Sequence, residues 1–533
     1  MGWIKATTHV CRTWRQIALG MPALWALICI PAFPGSVGWT WIHEQLRRAE
    51  RHATVSLSMD LNDAATDTIR FSHADLKPMN QLSMQYLPRM SSISVREGSA
   101  IEMQSILHVS TEGATPPAVP CLDTLVFTSM ITMGANLFIF SAKTIYAPQL
   151  RHLALAGEHI EFDWSNTKFL HKLTHLSLFH LPELNLPELL VGLVHLLHLE
   201  VLDVRCTFRW FRTKVTQPPI VQLPQLRTLC VHESYADMIV FLSNLVVSRL
   251  TRLKLQCEVD PVFPCPERPV DLMIGLVHQL NNSSQNPRRQ LYLIDDEDYL
   301  QVQAWTKVVD PEENVPSLEL LFGRFNRLCD SYDYPLSVAE ICSAIDIREL
   351  EVLETHLHSL PTGTWKSTFG SLSKLHTITT TADVYELLPA LFDNVELAFS
   401  PPQKPQSELK APFPALKTLE FLATNFDDIR NPFTKPYKQD FVYSCLTRRE
   451  EMGAEISFLG LYESRKLSKG DVRKLQTVTN VEWDMRERGL SGPAFRDSSD
   501  PESGADSDWS GSSEESESDT DTDEFDELTE MWI

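Results

Sequence analysis

A leucine pattern that recurs through the middle of the chain limits its possible folds more than any other feature. Its form is L-x-x-L-x-L, for example at Leu150, Leu153 and Leu155. Between Leu122 and Leu250 successive copies begin 28, 23, 26, 27 and 24 residues apart. A period of this length is typical of leucine-rich repeats, in which every repeat contributes one short strand and a returning segment. A single copy arises readily by chance in a leucine-rich helix, but six in succession at nearly constant spacing do not.

The same pattern predicts how the repeats pack. In each short strand the leucines point to one side and the x residues to the other. One repeat cannot bury its apolar side alone, so neighbouring repeats must stack. We therefore predict an α/β fold with an irregular leucine-rich-repeat solenoid over residues 61–486, with loop insertions after Leu255. The central leucines should be buried in line, namely Leu153, Leu176, Leu202, Leu229 and Leu253. Copies begin at Met90, Leu122, Leu150, Leu173, Leu199, Leu226, Leu250, Leu375 and Leu416, with a weak one at Leu350.

Local patterns between the copies predict further elements. Ser337 and Glu340 have the spacing of a capping box and predict a helix that opens there. Apolar periodicity predicts the other helices and strands, and acidic or turn-forming residues predict a loop. The predicted elements are two returning helices at 186–197 and 236–247, a strand at 291–294, a loop at 295–316, and two closing strands at 456–461 and 478–483.

The amino-terminal stretch has the periodicity of a helix. Gly20 is placed where a first helix would stop, and Pro22 suits the first turn of a second, short helix. We predict that residues 1–35 form a helical hairpin in which Trp14 packs against Trp25, both mostly buried. A connecting helix and a strand should follow in residues 36–60. The first helix is apolar at Ile4, Val10, Trp14 and Ile17, and the second offers Leu24, Trp25 and Ile28.

Within this stretch, V-C-R-x-W-R and P-x-L-W, together with their spacing, resemble the second half of an F-box as it is written in mushroom-forming fungi. A helix that runs into a strand about fifty residues into the chain resembles the same family. The resemblance implies that this segment docks onto the adaptor protein of a cullin-type ubiquitin ligase. It assigns adaptor contact to five residues, although packing alone would place them in the core: Val10, Cys11, Trp14, Leu24 and Trp25.

The resemblance also implies a function. An F-box protein is a substrate-recognition subunit that does no catalysis, and here an unknown protein target would bind on the repeat surface. The opening L-P-x-E-x-L-like helix of the family does not occur in these residues, so we expect adaptor binding to be weak or absent without it. The alternative is a non-catalytic interaction scaffold that has lost adaptor binding. An enzyme built on repeats is a further alternative, supported only by scattered histidines.

Negative charge is concentrated near the carboxyl end. Residues 497–530 hold fifteen acidic side chains and no Lys or Arg, which leaves −8 of the net charge of −23 to the other residues. We predict that residues 487–533 form a disordered acidic tail, because little apolar surface is present to offset the entropy of ordering. The tail is either a plain solubilising segment or a phosphorylated one. Ser512, Ser516, Ser518 and Thr520 are candidate sites, since each has an acidic residue three positions on.

No pattern predicts catalysis or a cofactor. His171 and His175 have the spacing of a zinc helix but lack the glutamate of H-E-x-x-H, and no phosphate loop or nucleophile elbow occurs. We therefore expect no enzyme activity, no metal and no cofactor. The mildly acidic body, without clusters of basic and aromatic residues, argues against nucleic-acid binding. Ten scattered cysteines without a C-x-x-C pair favour reduced thiols and a cytoplasmic or nuclear location. Prolines and glycines interrupt the uncharged run 16–42, which disfavours a secretory signal or membrane anchor.

Overall fold

The computed structural model has a mixed α/β fold built around one large sheet. All of its described residues belong to one compact unit, Met1–Arg488. The predicted acidic tail, with its four candidate phosphorylation sites, lies outside them, as do Val10 and Cys11. The structure describes residues 12–30, 35–49, 54–60, 81–82, 85–96, 98, 100–107, 118–129, 138–140, 145–164, 170–181, 184–206, 208–209, 218–258, 269–282, 287–296, 299–323, 334–357, 360–381, 384–392, 411–424, 438–464 and 467–484.

In the described part of the chain, seventeen strands form the large sheet, and all but one of them run parallel. Three two-stranded parallel ladders are separate from it, namely β5–β7, β9–β11 and β12–β14. The strands are β1 Leu27–Ile30, β2 Val55–Asp60, β3 Met90–Arg96, β4 Thr124–Thr128, β5 Phe138–Phe140, β6 His152–Ala156, β7 Ile160–Phe162, β8 His175–Phe179, β9 Leu184–Asn185, β10 Val201–Arg205, β11 Phe208–Arg209, β12 Val221–Leu223, β13 Thr228–Ser234, β14 Leu245–Val247, β15 Arg252–Glu258, β16 Gln290–Asp295, β17 Tyr299–Trp305, β18 Leu318–Gly323, β19 Val352–His356, β20 Thr377–Thr380, β21 Thr418–Leu422, β22 Phe458–Tyr462 and β23 Asn480–Trp483.

One residue from each strand forms a continuous row across the sheet, and nearly all of this row is buried and apolar. The predicted line of buried leucines is confirmed, since Leu153 through Leu253 occupy equivalent positions in five neighbouring strands. A slip of one residue would turn every leucine to the other side, so burial fixes this register. The row is Ile28, Leu57, Ile93, Leu125, Leu153, Leu176, Leu202, Leu229, Leu253, Leu318, Ala304, Leu291, Leu353, Ile378, Leu419, Leu459 and Val481.

Helices complete the core on the apolar side of the sheet. Their buried residues, such as Met238, Phe241 and Trp365, belong to the same hydrophobic cluster as the leucine row. Burying a side chain of this size contributes roughly 1.5–3 kcal/mol to stability. Single 3-10 turns occur at Pro22–Trp25 and Leu87–Arg89. The helices are α1 Arg12–Gly20, α2 Gly35–Ala49, α3 Ala100–Leu107, α4 Leu186–Leu193, α5 Tyr235–Ser243, α6 Pro269–Asn282, α7 Tyr334–Ala344, α8 Thr362–Phe369, α9 Val384–Ala390, α10 Lys438–Glu451 and α11 Lys469–Leu475.

A three-stranded meander interrupts the regular strand order. Strand β18 pairs in parallel with β15, β17 runs antiparallel between β18 and β16, and β16 pairs in parallel with β19. The predicted strand at 291–294 is confirmed as part of β16. The predicted loop at 295–316 is wrong in part, because it contains β17. In that strand Leu300 and Val302 alternate with Gln301 and Gln303, a period of two that the acidic flanks obscure.

Several predicted elements have other bounds in the structure. Helix α4 ends at Leu193, and the predicted helix at 236–247 is divided into α5 and strand β14. Helix α7 begins at Tyr334, so the expected capping box lies inside the helix, and Pro335 occupies its first turn. The two closing strands are confirmed as β22 and β23.

The amino-terminal segment differs from the predicted hairpin. Its second helical piece is one 3-10 turn, Pro22–Trp25, followed directly by strand β1. Ile28 therefore lies in the large sheet, where β1 pairs in parallel with β2, and not in a helix. The run Leu27–Ile30 is apolar and rich in isoleucine, which suits a strand better than a helix turn. Among the described residues, no helix combines the length and apolar character needed to cross a bilayer.

Candidate interaction surfaces

Trp25 is enclosed on all sides near the start of the chain. Its indole Nε1 donates to the carbonyl oxygen of Ala18 at 2.8 Å, and its ring meets Trp41 edge-on with centroids 5.8 Å apart. The guanidinium of Arg48 lies 4.5 Å from the ring centroid and donates to Glu44 at 2.6 Å. Hydrogen bonds from Arg47 and Arg48 lower the pKa of Glu44 to about 2, so the Glu44 carboxylate stays charged. At 1% exposure, Trp25 offers no surface to a partner.

Helix α1 instead presents an apolar face to solvent. Trp14 and Ile17, one turn apart, are 56% and 45% exposed, and Met21 just beyond the helix is 45% exposed. The prediction that Trp14 is mostly buried is therefore wrong, because Trp41 is the ring that packs edge-on against Trp25. Large apolar side chains grouped at a surface commonly mark a contact with another protein. Helix α1 is the first candidate interaction surface.

The five residues that the F-box resemblance assigns to adaptor contact fall into three groups. Val10 and Cys11 lie outside the described residues. Leu24 is half-buried and packs against the core, and Trp25 lies within it. Trp14 is the one described member of the five that faces solvent.

The second candidate surface is the side of the large sheet that faces away from the leucine row, called the polar face from here on. Its central row has one residue per strand, each between two core residues. Small and hydroxyl side chains come first, mixed charges follow in the middle, and carboxylates dominate the last strands. In spatial order the row is Cys29, Ser58, Ser94, Val126, Ala154, Ser177, Asp203, Cys230, Lys254, Glu319, Gln303, Tyr292, Glu354, Thr379, Glu420, Gly460 and Glu482.

Charges in the middle of the polar face are paired. Burial raises the pKa of Asp203, while the nearby guanidinium of Arg205, 3.3 Å away, opposes that shift. The same guanidinium lies 5.1 Å from the ring centroid of Phe179. On the next strands Lys254 and Glu319 approach to 3.5 Å. These charges are paired and largely covered, so they offer few contacts to a partner.

One aromatic site on the polar face lies at β16. Tyr292 meets His356 edge-on with ring centroids 5.3 Å apart, and the imidazole Nε2 lies 3.1 Å from Glu354. Burial raises the pKa of Tyr292, and the carboxylate of Glu354 raises it further. The phenol is therefore a neutral hydrogen-bonding group beside a negative charge.

A second aromatic site lies at β22. A Cβ on Gly460 would come within 2.6 Å of Cε2 of Tyr462 and 3.0 Å of Cγ of Glu420, so the absence of a side chain lets the ring lie across the strand. Thr379 donates to Glu420 at 2.8 Å. Burial raises the pKa of Tyr462, and the charges of Glu420 and Glu482 raise it further. The ring thus occupies the space between two carboxylates.

The described residues contain no cluster of three or more metal-ligating side chains. His175 of the zinc-like spacing stacks on His152 with ring centroids 4.2 Å apart. Burial raises the pKa of the thiols of Cys206 and Cys342 to about 12, which leaves both as protonated core residues.

Comparison of the chain with protein-family profiles and with curated proteins finds no match.

Proposed function

We propose that this protein is a non-catalytic recognition subunit of a cullin-type ubiquitin ligase. In this proposal helix α1 docks onto the ligase adaptor, and the polar face binds a protein target. The observation that carries it is the solvent-facing apolar side of α1, with Trp14, Ile17 and Met21, in the segment that resembles an F-box. Exposed apolar area of this kind favours association with a complementary surface.

The body of the protein is proposed to be an irregular leucine-rich-repeat solenoid. Support comes from the aligned apolar rows of a largely parallel sheet and from the near-constant spacing of the copies that form it. Such an arrangement leaves one face of the strands available to a target. Buried, protonated thiols support a reducing location in the cytoplasm or nucleus.

One observation favours the alternative, an interaction scaffold that does not bind the adaptor. Leu24 and Trp25, two of the residues that the resemblance assigns to adaptor contact, pack inward and serve the core. The docking surface would then rest on α1 alone, and we expect the affinity of the chain for the adaptor to be micromolar or weaker.

Titration of the full chain with purified adaptor tests the two functions. The variant Trp14→Ala with Ile17→Ala removes exposed apolar surface without disturbing Trp25, and we expect it to weaken adaptor binding at least about tenfold. A matched control, Val191→Ala with Leu197→Ala, truncates residues that are 51% and 52% exposed elsewhere and should leave binding unchanged. If the unaltered chain shows no binding to the adaptor at high micromolar concentration, the scaffold function is favoured.

A further inference from the structure

Carboxylates on the last strands of the polar face lie among few basic side chains in the described part of the chain. From β16 and from β19 through β23, the described strand residues that point away from the core include no Lys or Arg. The imidazole Nε2 of His356 lies 3.1 Å from Glu354. Glu420 and Glu482 follow in the same row, the first half-buried and the second exposed. This section differs from the middle strands, where acidic and basic side chains are paired.

These three residues, called the carboxylate row, have a regular spacing. Glu354, Glu420 and Glu482 occupy equivalent positions in β19, β21 and β23, with one strand between each pair. Because neighbouring strands lie about 4.8 Å apart, successive members of the row are about 10 Å apart. The described residues contain no group of three or more side chains that could hold a metal ion. The row therefore fits a partner with several cationic groups, and not a single ion.

Two aromatic rings add to the attraction for such groups. Tyr292 lies beside Glu354, and Tyr462 lies over Gly460 between Glu420 and Glu482. A guanidinium or ammonium group is attracted both to an aromatic face and to a carboxylate, and arginine combines the two contacts especially well.

We propose that this section of the polar face binds an extended basic segment of a protein partner, with Arg or Lys at about every third residue. A polyproline II chain has three residues per turn and rises about 3.1 Å per residue, so every third side chain recurs on the same side at about 9 Å, close to the spacing of the carboxylate row. The inference rests on the proposed function, since the basic segment would belong to the target. Nucleic acid and the acidic carboxyl end of this chain are disfavoured as occupants because they share the charge of the row.

Fluorescence anisotropy with the full chain tests the proposal. The probe is a labelled peptide with arginine at every third position and glycine and serine between, and the comparison peptide has the same composition with its arginines contiguous. We expect the spaced peptide to bind more tightly than the contiguous one, and its binding to weaken as salt is added. Gly460→Ala, which displaces the ring of Tyr462 without a change of charge, should weaken binding several-fold.

Two triple variants separate the carboxylate row from net charge. The row variant, which neutralises the three glutamates of the carboxylate row, should weaken binding of the spaced peptide at least about tenfold. The control variant removes the same charge from exposed positions outside the polar face and should leave binding unchanged. Unfolding temperature checks that both remain folded. The row variant is Glu354→Gln, Glu420→Gln and Glu482→Gln, and the control is Glu188→Gln, Glu313→Gln and Glu450→Gln.

The possible outcomes decide the proposal in either direction. Absent binding, equal loss in both triple variants, or equal affinity for the two peptides would overturn it. Self-association that depends on the carboxylate row, without peptide binding, would assign the section to a second copy of the chain and would overturn it as well. Adaptor binding is measured on the same preparations, so a failure of the proposed ligase function is seen separately from a failure to bind the basic peptide.

Discussion

At the scale of single residues, Arg449 is a charged side chain that lies inside the core. It is fully buried, and its guanidinium donates only to backbone carbonyl oxygens. The acceptors are those of Ala454 at 3.1 Å, Leu391 at 3.1 Å, Pro412 at 2.9 Å and Phe413 at 2.9 Å. Burial lowers the pKa of Arg449 to about 10, which still leaves it charged at neutral pH. One side chain thus joins α10 to the end of α9 and to the segment before β21.

We expect Arg449→Met to lower the free energy of unfolding by about 3 kcal/mol or more. The substitution keeps a long apolar side chain but leaves four carbonyl oxygens without their donor in the core. Arg448→Met is the control, because its surface pair with Glu451 at 2.6 Å is worth about 1 kcal/mol at most. Urea denaturation of both variants measures the difference, and similar losses would contradict the role of Arg449.

Glu233 is a second buried ionisable residue. It is 6% exposed, and its carboxyl oxygen accepts from the backbone N–H of Phe208 at 2.8 Å. Burial raises the pKa of Glu233 from 4.5 to about 8, with smaller contributions from the charges of Asp237 and Glu258. In the folded protein this carboxyl is therefore mostly protonated at neutral pH, whereas in the unfolded chain it is ionised.

This difference predicts a stability that declines as pH rises. Below about pH 4.5 Glu233 is protonated in both states, and its contribution to stability is complete; between about pH 4.5 and 8 only the unfolded chain loses the proton, so stability is lost. We expect Glu233→Gln, which keeps the acceptor for Phe208, to stabilise the protein more at pH 8 than at pH 5. Thermal unfolding at the two pH values measures this, with exposed Glu188→Gln as the control. An equal effect at both values would show that Glu233 is ionised in the folded protein.

At the scale of helices and strands, local periodicity predicted most of the large sheet. The strands with regular leucine spacing were located because the outer leucines must face the core in every copy. Trp14 and Trp25 could not be told apart in this way, because each lies at an apolar position. The difference depends on Trp41 and Arg48, which α2 brings to Trp25 from elsewhere in the chain. Burial is settled by such distant contacts, which a local pattern does not contain.

The candidate surfaces were less predictable than the sheet. The x positions of the repeats predicted which side of the strands is exposed, but not which side chains lie next to one another there. Each repeat contributes one side chain to a row, and the number of residues between repeats varies. Glu420 and Glu482 come together only through the register of β21 to β23, and the position of Tyr462 depends on the absence of a side chain at Gly460. Arg449 was also missed, since its partners are backbone oxygens and leave no signal in the sequence.

The leucine row predicts the effect of a single truncation. Leu229 is fully buried between Leu202 and Leu253 in adjacent strands, so Leu229→Ala should lower the free energy of unfolding by about 2–5 kcal/mol. Val246→Ala, at a position that is 48% exposed in β14, should change it by less than about 0.5 kcal/mol. Chemical denaturation of both variants is the measurement. If Leu229→Ala lowers the free energy of unfolding only slightly, tight packing around the leucine row is contradicted.

At the scale of the whole molecule, charge is unevenly distributed along the chain. Fifteen acidic residues in 497–530 account for most of the net charge of −23, and the carboxylate row adds an acidic section at the same end of the sequence. The leucine row, by contrast, is continuous from β1 to β23, so the hydrophobic contribution to stability is spread over the entire sheet. These two distributions predict that most of the net charge and most of the stability reside in different parts of the chain.

Deleting residues 497–533 should therefore leave the thermal midpoint nearly unchanged while raising the isoelectric point. Composition supports this, since the deleted residues are too polar and too acidic to bury much apolar surface. A longer deletion from residue 479 also removes β23, whose Val481 and Trp483 pack against the core, and should lower the midpoint clearly. Differential scanning calorimetry and isoelectric focusing of the three chains measure both effects. If the shorter deletion lowers the midpoint as much as the longer one, the acidic segment contributes to the folded unit, and the separation of charge from stability is wrong.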